Sequence, residues 1–346
     1  MRKLLLTTAL IGSTLVAGNA IAQTTVSGNL NISYKAGASD AATGTTTNSG
    51  RGFGNEQQIN IQNKGALNNG MSYAAGFSME NDGSQSGTLF NENTFIDFIA
   101  GNTTFTIGVD HIQNIDRTTS TLLNGMEAGD MAEGVNGTAV FLTAPGSNPA
   151  QSYHAGVTQT IPGIGKVSFL YAPSDTTGNA ATANDKNFVE DNNESAMEIG
   201  FNGDLGVKGL NAHAFANKQK ATTGSKAVTP ASVNDHKGYN WGASYNMGSI
   251  TLGYDYKKEG AVAVNADVKQ NSFGAAYAVD KNLTVGLNYT KADKEGVAVD
   301  AKAKTLMVGY SLGPVALIAN VSQLENITGV SGVDANVVYL AARTSF

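Results

Sequence analysis

The sequence predicts an all-β protein, a 16-stranded antiparallel transmembrane β-barrel over residues 23–346, preceded by a signal peptide over residues 1–22. Three observations carry that prediction. Apolar residues recur with period two in segment after segment, the spacing of a strand with one apolar face. The connections alternate between tight turns and long polar loops, as in a barrel whose hairpins are short at one membrane surface and long at the other. Charged residues make up 14% of the chain, against ~25% in ordinary soluble domains, and they concentrate in the loops.

The period-two segments fall at 24–36, 51–64, 70–81, 92–100, 103–110, 151–160, 165–172, 195–203, 209–219, 238–247, 249–258, 269–279, 282–291, 302–312, 315–323 and 335–346. The first sets Val26, Leu30, Ile32 and Tyr34 against Ser27, Asn29, Asn31, Ser33 and Lys35. Further along, Ile250, Leu252, Tyr254 and Tyr256 alternate with Thr251, Gly253, Asp255 and Lys257, and Leu283, Val285, Leu287 and Tyr289 with Thr284, Gly286, Asn288 and Thr290. Tight turns at Asn68-Asn69-Gly70, Gly101-Asn102, Pro162-Gly163, Asn246-Met247-Gly248, Asp280-Lys281-Asn282 and Gly313-Pro314 use the residues such turns require. Long polar stretches at 37–50, 174–194, 220–237 and 291–301 supply connections of the other kind. An even strand count brings both termini to one end of the barrel.

Polarity separates a barrel from a soluble sandwich, which would scatter Lys and Glu along its wetted faces. Here the positions between the apolar residues are mainly Ser, Thr, Asn, Gln and Gly, suited to one face on lipid and the other on water. Ten tyrosines, among them Tyr34, Tyr73, Tyr171, Tyr254 and Tyr310, share parity with the apolar face and read as aromatic girdles. Parity sends Gln58, Asn60, Gln62, Asp110, His154, Glu198, Asp255 and Arg343 inward, with Phe95, Phe215 and Tyr339 as isolated inward aromatics.

Met1-Arg2-Lys3, the apolar run Leu4–Val16 and the ending Ala20-Ile21-Ala22 read as a secretory signal peptide cleaved near Ala22. The remaining chain has 20 basic and 28 acidic side chains, a balance near −8. An acidic chain without a basic stripe is no nucleic-acid binder. Cysteine is absent, and the four histidines have no metal-ligand spacing, so neither a metal nor another cofactor is expected. No serine sits in a nucleophile elbow, so no catalytic residue is assigned and the chain is not expected to be an enzyme.

The final segment ends on Phe346 and resembles the C-terminal assembly signal of Gram-negative outer-membrane proteins, which implies the barrel-assembly machinery as a partner. The hairpin Thr94–Asp110 followed by a long non-repetitive loop, and the Arg51-Gly52-Phe53-Gly54 start of the second segment, resemble the general diffusion porins. That resemblance implies passive diffusion of small hydrophilic solutes and ions, an outer-membrane location beside lipid and lipopolysaccharide, and a homotrimer. It also implies a third loop, about residues 111–150, folded into the lumen to narrow it. The family's Pro-Glu-aromatic turn is absent between His111 and Asn148.

A channel needs charge at a narrow aqueous site, where low-dielectric walls focus the field. The third loop holds Asp116, Arg117, Glu127, Asp130 and Glu133, a net charge of −3, and together with Asp110 these are the expected constriction residues. Lys35 and Arg51 are the wall candidates; strand parity alone puts Arg51 on the outer face unless a bulge intervenes, and the rim of the first loop is its other reading. Weak cation preference follows. Two other classes compete with a general porin. A substrate-specific channel would want a basic lumen or an inner aromatic slide, and an exported β-rich adhesin has no use for a terminal Phe.

Overall fold

A computed structural model describes residues 23–40, 47–82, 90–112, 140–142, 146, 149–173, 195–220, 235–260 and 266–346. Sixteen strands follow in order: β1 (Gln23–Asp40), β2 (Thr47–Ala66), β3 (Ser72–Asp82), β4 (Phe90–Ala100), β5 (Thr103–Gly108), β6 (His154–Ile161), β7 (Gly165–Ala172), β8 (Ala196–Gly203), β9 (Leu210–Gln219), β10 (His236–Met247), β11 (Ile250–Gly260), β12 (Val268–Ala278), β13 (Leu283–Lys294), β14 (Ala301–Leu312), β15 (Val315–Glu325) and β16 (Ala335–Ser345). Each pairs antiparallel with its sequence neighbours and β1 pairs with β16, which closes the barrel. All sixteen predicted segments are strands. The fifth is shorter than its alternation suggests and ends at Gly108, because Asp110 turns into the left-handed region at φ 53°.

The outer face is apolar and open to its surroundings. Val26, Leu287 and Ile107 keep 66%, 63% and 61% of their surface exposed, values that would be costly in water over so continuous a surface and are expected against hydrocarbon. The inner face is held by short polar contacts across neighbouring strands. Asn29 Nδ2 donates to Gln58 Oε1 at 3.0 Å, Gln58 donates onward to Glu80 at 3.1 Å, and Thr305 and Ser322 share a hydrogen bond of 2.8 Å. The expected tyrosine parity holds: Trp241, Tyr254 and Phe273 form a chain of tilted ring contacts at 5.3 and 4.8 Å on the outer face.

The ends of the barrel are set by local chemistry. In the β12–β13 turn, Asp280 Oδ1 accepts the N–H groups of Asn282 (2.6 Å) and Leu283 (2.9 Å). These bonds favour the charged form and hold the carboxyl below its ordinary range. Their support of the turn is therefore present at neutral pH and is lost as pH falls through the lowered pKa. At the closing seam, Gly28 and Phe346 exchange both backbone hydrogen bonds, at 2.8 and 3.0 Å.

A side chain at Gly28 would meet the Phe346 ring at 2.5 Å and the Gln58 carbonyl at 2.6 Å. Gly28→Val should displace the ring and loosen the seam, lowering stability by about 1–3 kcal/mol. The measurement is the temperature at which the folded band is lost in a heated detergent gel. An unchanged transition would show that the seam has room for a side chain.

Candidate functional site

The interior is built from the inward positions of sixteen strands and from the connection between β5 and β6. That connection leaves β5 at a fixed root: Val109 N–H donates to the Thr94 carbonyl (2.8 Å) and Asp110 N–H to the Ala150 carbonyl (2.7 Å). His111 stacks on the inward ring of Phe95, with centroids 3.5 Å apart, and its Nε2 lies 3.0 Å from Asp97 Oδ2. Asp97 also accepts the Thr106 hydroxyl at 2.6 Å. A short helical turn, Pro149–Gln151, brings the chain back to β6.

Between root and return, the described residues of the connection lie against β11, β12 and the chain after β15. Leu142 N–H donates to Gln270 Oε1 (2.8 Å) and its carbonyl accepts Gln270 Nε2 (3.0 Å), a two-bond clamp to β12. Val140 N–H donates to the Ile327 carbonyl (2.9 Å) beyond β15, and Gly146 N–H to Glu259 of β11 (3.1 Å). Val140, Phe141 and Leu142 pack with Val268, Ala303, Ile318, Leu324, Ile327 and Val337 in one buried cluster. Ile318, Leu324 and Val337 are inward positions, so this sector of the inner wall is apolar where the lumen was expected to be polar.

On the β4–β9 side the inner wall is mixed: Phe95, Leu170 and Phe215 point inward among hydroxyls, and Ile112, Ala150 and Leu170 form a second buried cluster. A cavity of about 700 Å³ is lined there by Asp97, Thr104, Thr106, Thr158, Lys166 and Ser168, with Phe215 beside them. Next to it, His213 Nε2 reaches Asn240 Oδ1 at 2.9 Å and Asp255 Oδ1 at 2.8 Å, all three on inward positions of adjacent strands. His236 pairs with Glu259 at 3.6 Å, the same carboxylate that accepts Gly146. His154, Glu198 and Asp255 face inward and are buried, as parity requires. Among the described residues no group of three His, Cys, Asp or Glu side chains could hold a metal ion.

Lys35 points inward, paired with Gly52 on one side and Tyr339 on the other. Arg51 lies on the outer face of β2. The β1–β2 register runs without a bulge from Gln23↔Lys64 to Asp40↔Thr47, so Arg51 opposite Ala36 shares the outer parity of Phe53 and lies near the loop end. Asp110 sits at the root of the connection and not on a strand, so its placement comes from the turn and not from alternation. Asp116, Arg117, Glu127, Asp130 and Glu133 lie outside the described residues. Phe346 closes on Gly28.

Inward strand positions with described side chains carry six carboxylates, Glu56, Glu80, Asp97, Glu198, Asp255 and Glu259, and six cations, Lys35, Lys64, Lys166, Lys257, Lys294 and Arg343. Most of these escaped the sequence reading, although simple alternation from Phe95 would have sent Asp97 inward. The apolar sector had a signal too: in the last strand Val337 and Val338 are both apolar, so both faces are.

The family model for Gram-negative porins matches residues 7–329. The chain belongs to the Gram-negative porin family. Solved porins share its fold: an anion-selective porin from Comamonas acidovorans is 16% identical with a TM-score of 0.65, covering 94% of this chain and 100% of its own. OprB from Pseudomonas putida is 11% identical with a TM-score of 0.64, over 93% of this chain and 94% of its own. OmpF from Salmonella typhi, solved with daunomycin, is 12% identical with a TM-score of 0.63, over 93% and 97%. No curated protein matches this porin's sequence.

In this porin, Gln270 satisfies both backbone groups of Leu142. Gln270→Leu would strand them, at about 1–3 kcal/mol for each buried group left unpaired. Residues 140–146 should then become a site of protease cleavage in an otherwise intact barrel, checked by limited proteolysis and mass spectrometry. Cleavage no faster than in the parent chain would mean that the apolar cluster alone holds the segment.

Proposed function

We propose that this porin forms a water-filled channel for passive diffusion of small hydrophilic solutes and ions, with a weak preference for cations. The observation that carries the proposal is the clamp of Leu142 on Gln270: a segment of the third connection is fastened to the wall opposite its root, and the polar cavity beside β4–β9 is left as the route. On this reading the whole of residues 111–150 narrows the lumen. Removal of residues 1–22, insertion in the outer membrane through an assembly signal ending on Phe346, contact with lipopolysaccharide and assembly as a homotrimer complete it. Outward Ala212, Ala214 and Ala216 on β9 are small enough to suit a close subunit contact. The chain is a channel and not an enzyme.

Cation preference rests on the loop. The described wall charges balance in number, so the sign of the constriction falls to Asp116, Arg117, Glu127, Asp130 and Glu133, with their net of −3. Screening over ~8 Å at physiological salt leaves only charges lining the route effective. Replacing Asp116, Glu127, Asp130 and Glu133 by Asn and Gln should move the reversal potential in a KCl gradient toward anions while the barrel stays folded. A reversal potential that does not move, or chloride preference in the parent channel, would remove the loop as the selectivity element.

A further inference from the structure

At the turn end of the lumen, inward positions of β5–β8 gather hydrogen-bonding side chains around one lysine. Thr104 lies opposite Thr158, Thr160 opposite Lys166, and Lys166 opposite Asn202. All five line the cavity of about 700 Å³. Thr158 is spent on the Ser168 hydroxyl, at 3.0 Å. The side chains of Thr104, Thr160, Lys166 and Asn202 make no hydrogen bond or ion pair among the described residues.

The carboxylates nearby are engaged elsewhere. Asp97 accepts the Thr106 hydroxyl on one oxygen, and its other oxygen lies 3.0 Å from His111 Nε2. The inward row through Asp97 and Thr106 meets β7 at Leu170, toward the loop end from Lys166. Asp204 lines the cavity too, but its Oδ1 accepts the Gly206 N–H at 3.0 Å inside its own turn, and it makes no ion pair with Lys166. Beyond Asn202 the next inward side chain is His213, which is held by Asn240 and Asp255. At the level of Thr160 and Asn202, the charge turned to the lumen is the Lys166 ammonium.

From this geometry we infer that Lys166, Thr160 and Asn202 form a subsite for the carboxylate group of small organic solutes at the turn end of the lumen. The inference rests on the channel reading and adds an anion-holding step on the turn side of the third connection. Strands ~4.8 Å apart set the hydroxyl and the amide on either side of the ammonium. One cation with two neutral donors suits a singly charged, planar carboxylate, whose two oxygens accept from neighbouring donors at once. A doubly charged phosphate would leave one charge unmatched. An ion pair that stays wet is worth up to about fivefold in affinity, and a neutral hydrogen bond about two- to fivefold. Such a site holds a solute weakly enough to release it, as conduction requires.

The test uses the folded full barrel in detergent, with saturation-transfer NMR of propionate as the binding readout and propionamide as its uncharged counterpart. The parent chain should bind propionate at least about fivefold more tightly than propionamide. K166Q should lose about fivefold for propionate, and T160V and N202L about two- to threefold each. K166R should stay within about twofold of the parent, because the charge is kept. As a control, K64Q removes another inward lysine at the turn end, one whose cross-strand neighbours are Gln23 and Ala74, and should leave the affinity unchanged. T160V and N202L keep the test open should K166Q fold poorly. Equal affinity for the amide, K166Q indistinguishable from the parent, an equal loss in K64Q, or displacement of propionate by inorganic phosphate at a lower concentration than by acetate would overturn the assignment. Conductance of the same preparations in planar bilayers tests the channel separately: a conducting barrel whose K166Q variant binds propionate like the parent refutes only the subsite, and a non-conducting barrel that binds propionate through Lys166 refutes only the channel.

Discussion

Hydrocarbon offers a backbone N–H or C=O no partner, and every unpaired group of an open strand edge is expensive there. The pairing of β1 with β16 is therefore the contact on which the rest of the structure depends. Once the sheet is closed, alternation does the sorting: each strand sends one set of side chains to lipid and the other to the lumen. Gly28 at the seam lets the terminal residue Phe346 lie against β1, so the end of the chain completes the ring of hydrogen bonds.

A closed barrel of this size leaves an interior wide enough for a connection to enter, and here the interior is divided. One sector of the wall, on β12–β16, turns Ile318, Leu324 and Val337 inward and buries Val140, Phe141 and Leu142 against them. The clamp by Gln270 satisfies the backbone that this burial would otherwise strand. The facing sector turns hydroxyls, Asp97 and Lys166 toward a cavity of about 700 Å³. A dry contact thus holds residues 140–142 against the inner wall.

The outer wall is also divided, by charge instead of polarity. Its β5–β8 arc has no charged side chain at outward positions, and its β9–β14 arc carries cross-strand lysines toward the loop end.

The sequence by itself determined the number of strands, their order, and which side chains face in or out, because a period of two is a local property that every pair of adjacent residues reports. It also placed Lys35, His154, Glu198 and Asp255 inward by parity alone. Tertiary structure decided the rest. Arg51 keeps the outer face that strand parity gives it, because the β1–β2 register runs without the bulge that an inward placement would need. Asp110 left its strand because φ 53° begins the turn at the loop root. The meeting of Leu142 with Gln270, 128 residues apart, comes from the third connection reaching β12, and that of His213 with Asp255, 42 apart, from the β9–β10–β11 register. Alternation states which face a residue takes but carries no record of which residues from distant strands share that face; only the closed ring, with its register fixed strand by strand, brings them together.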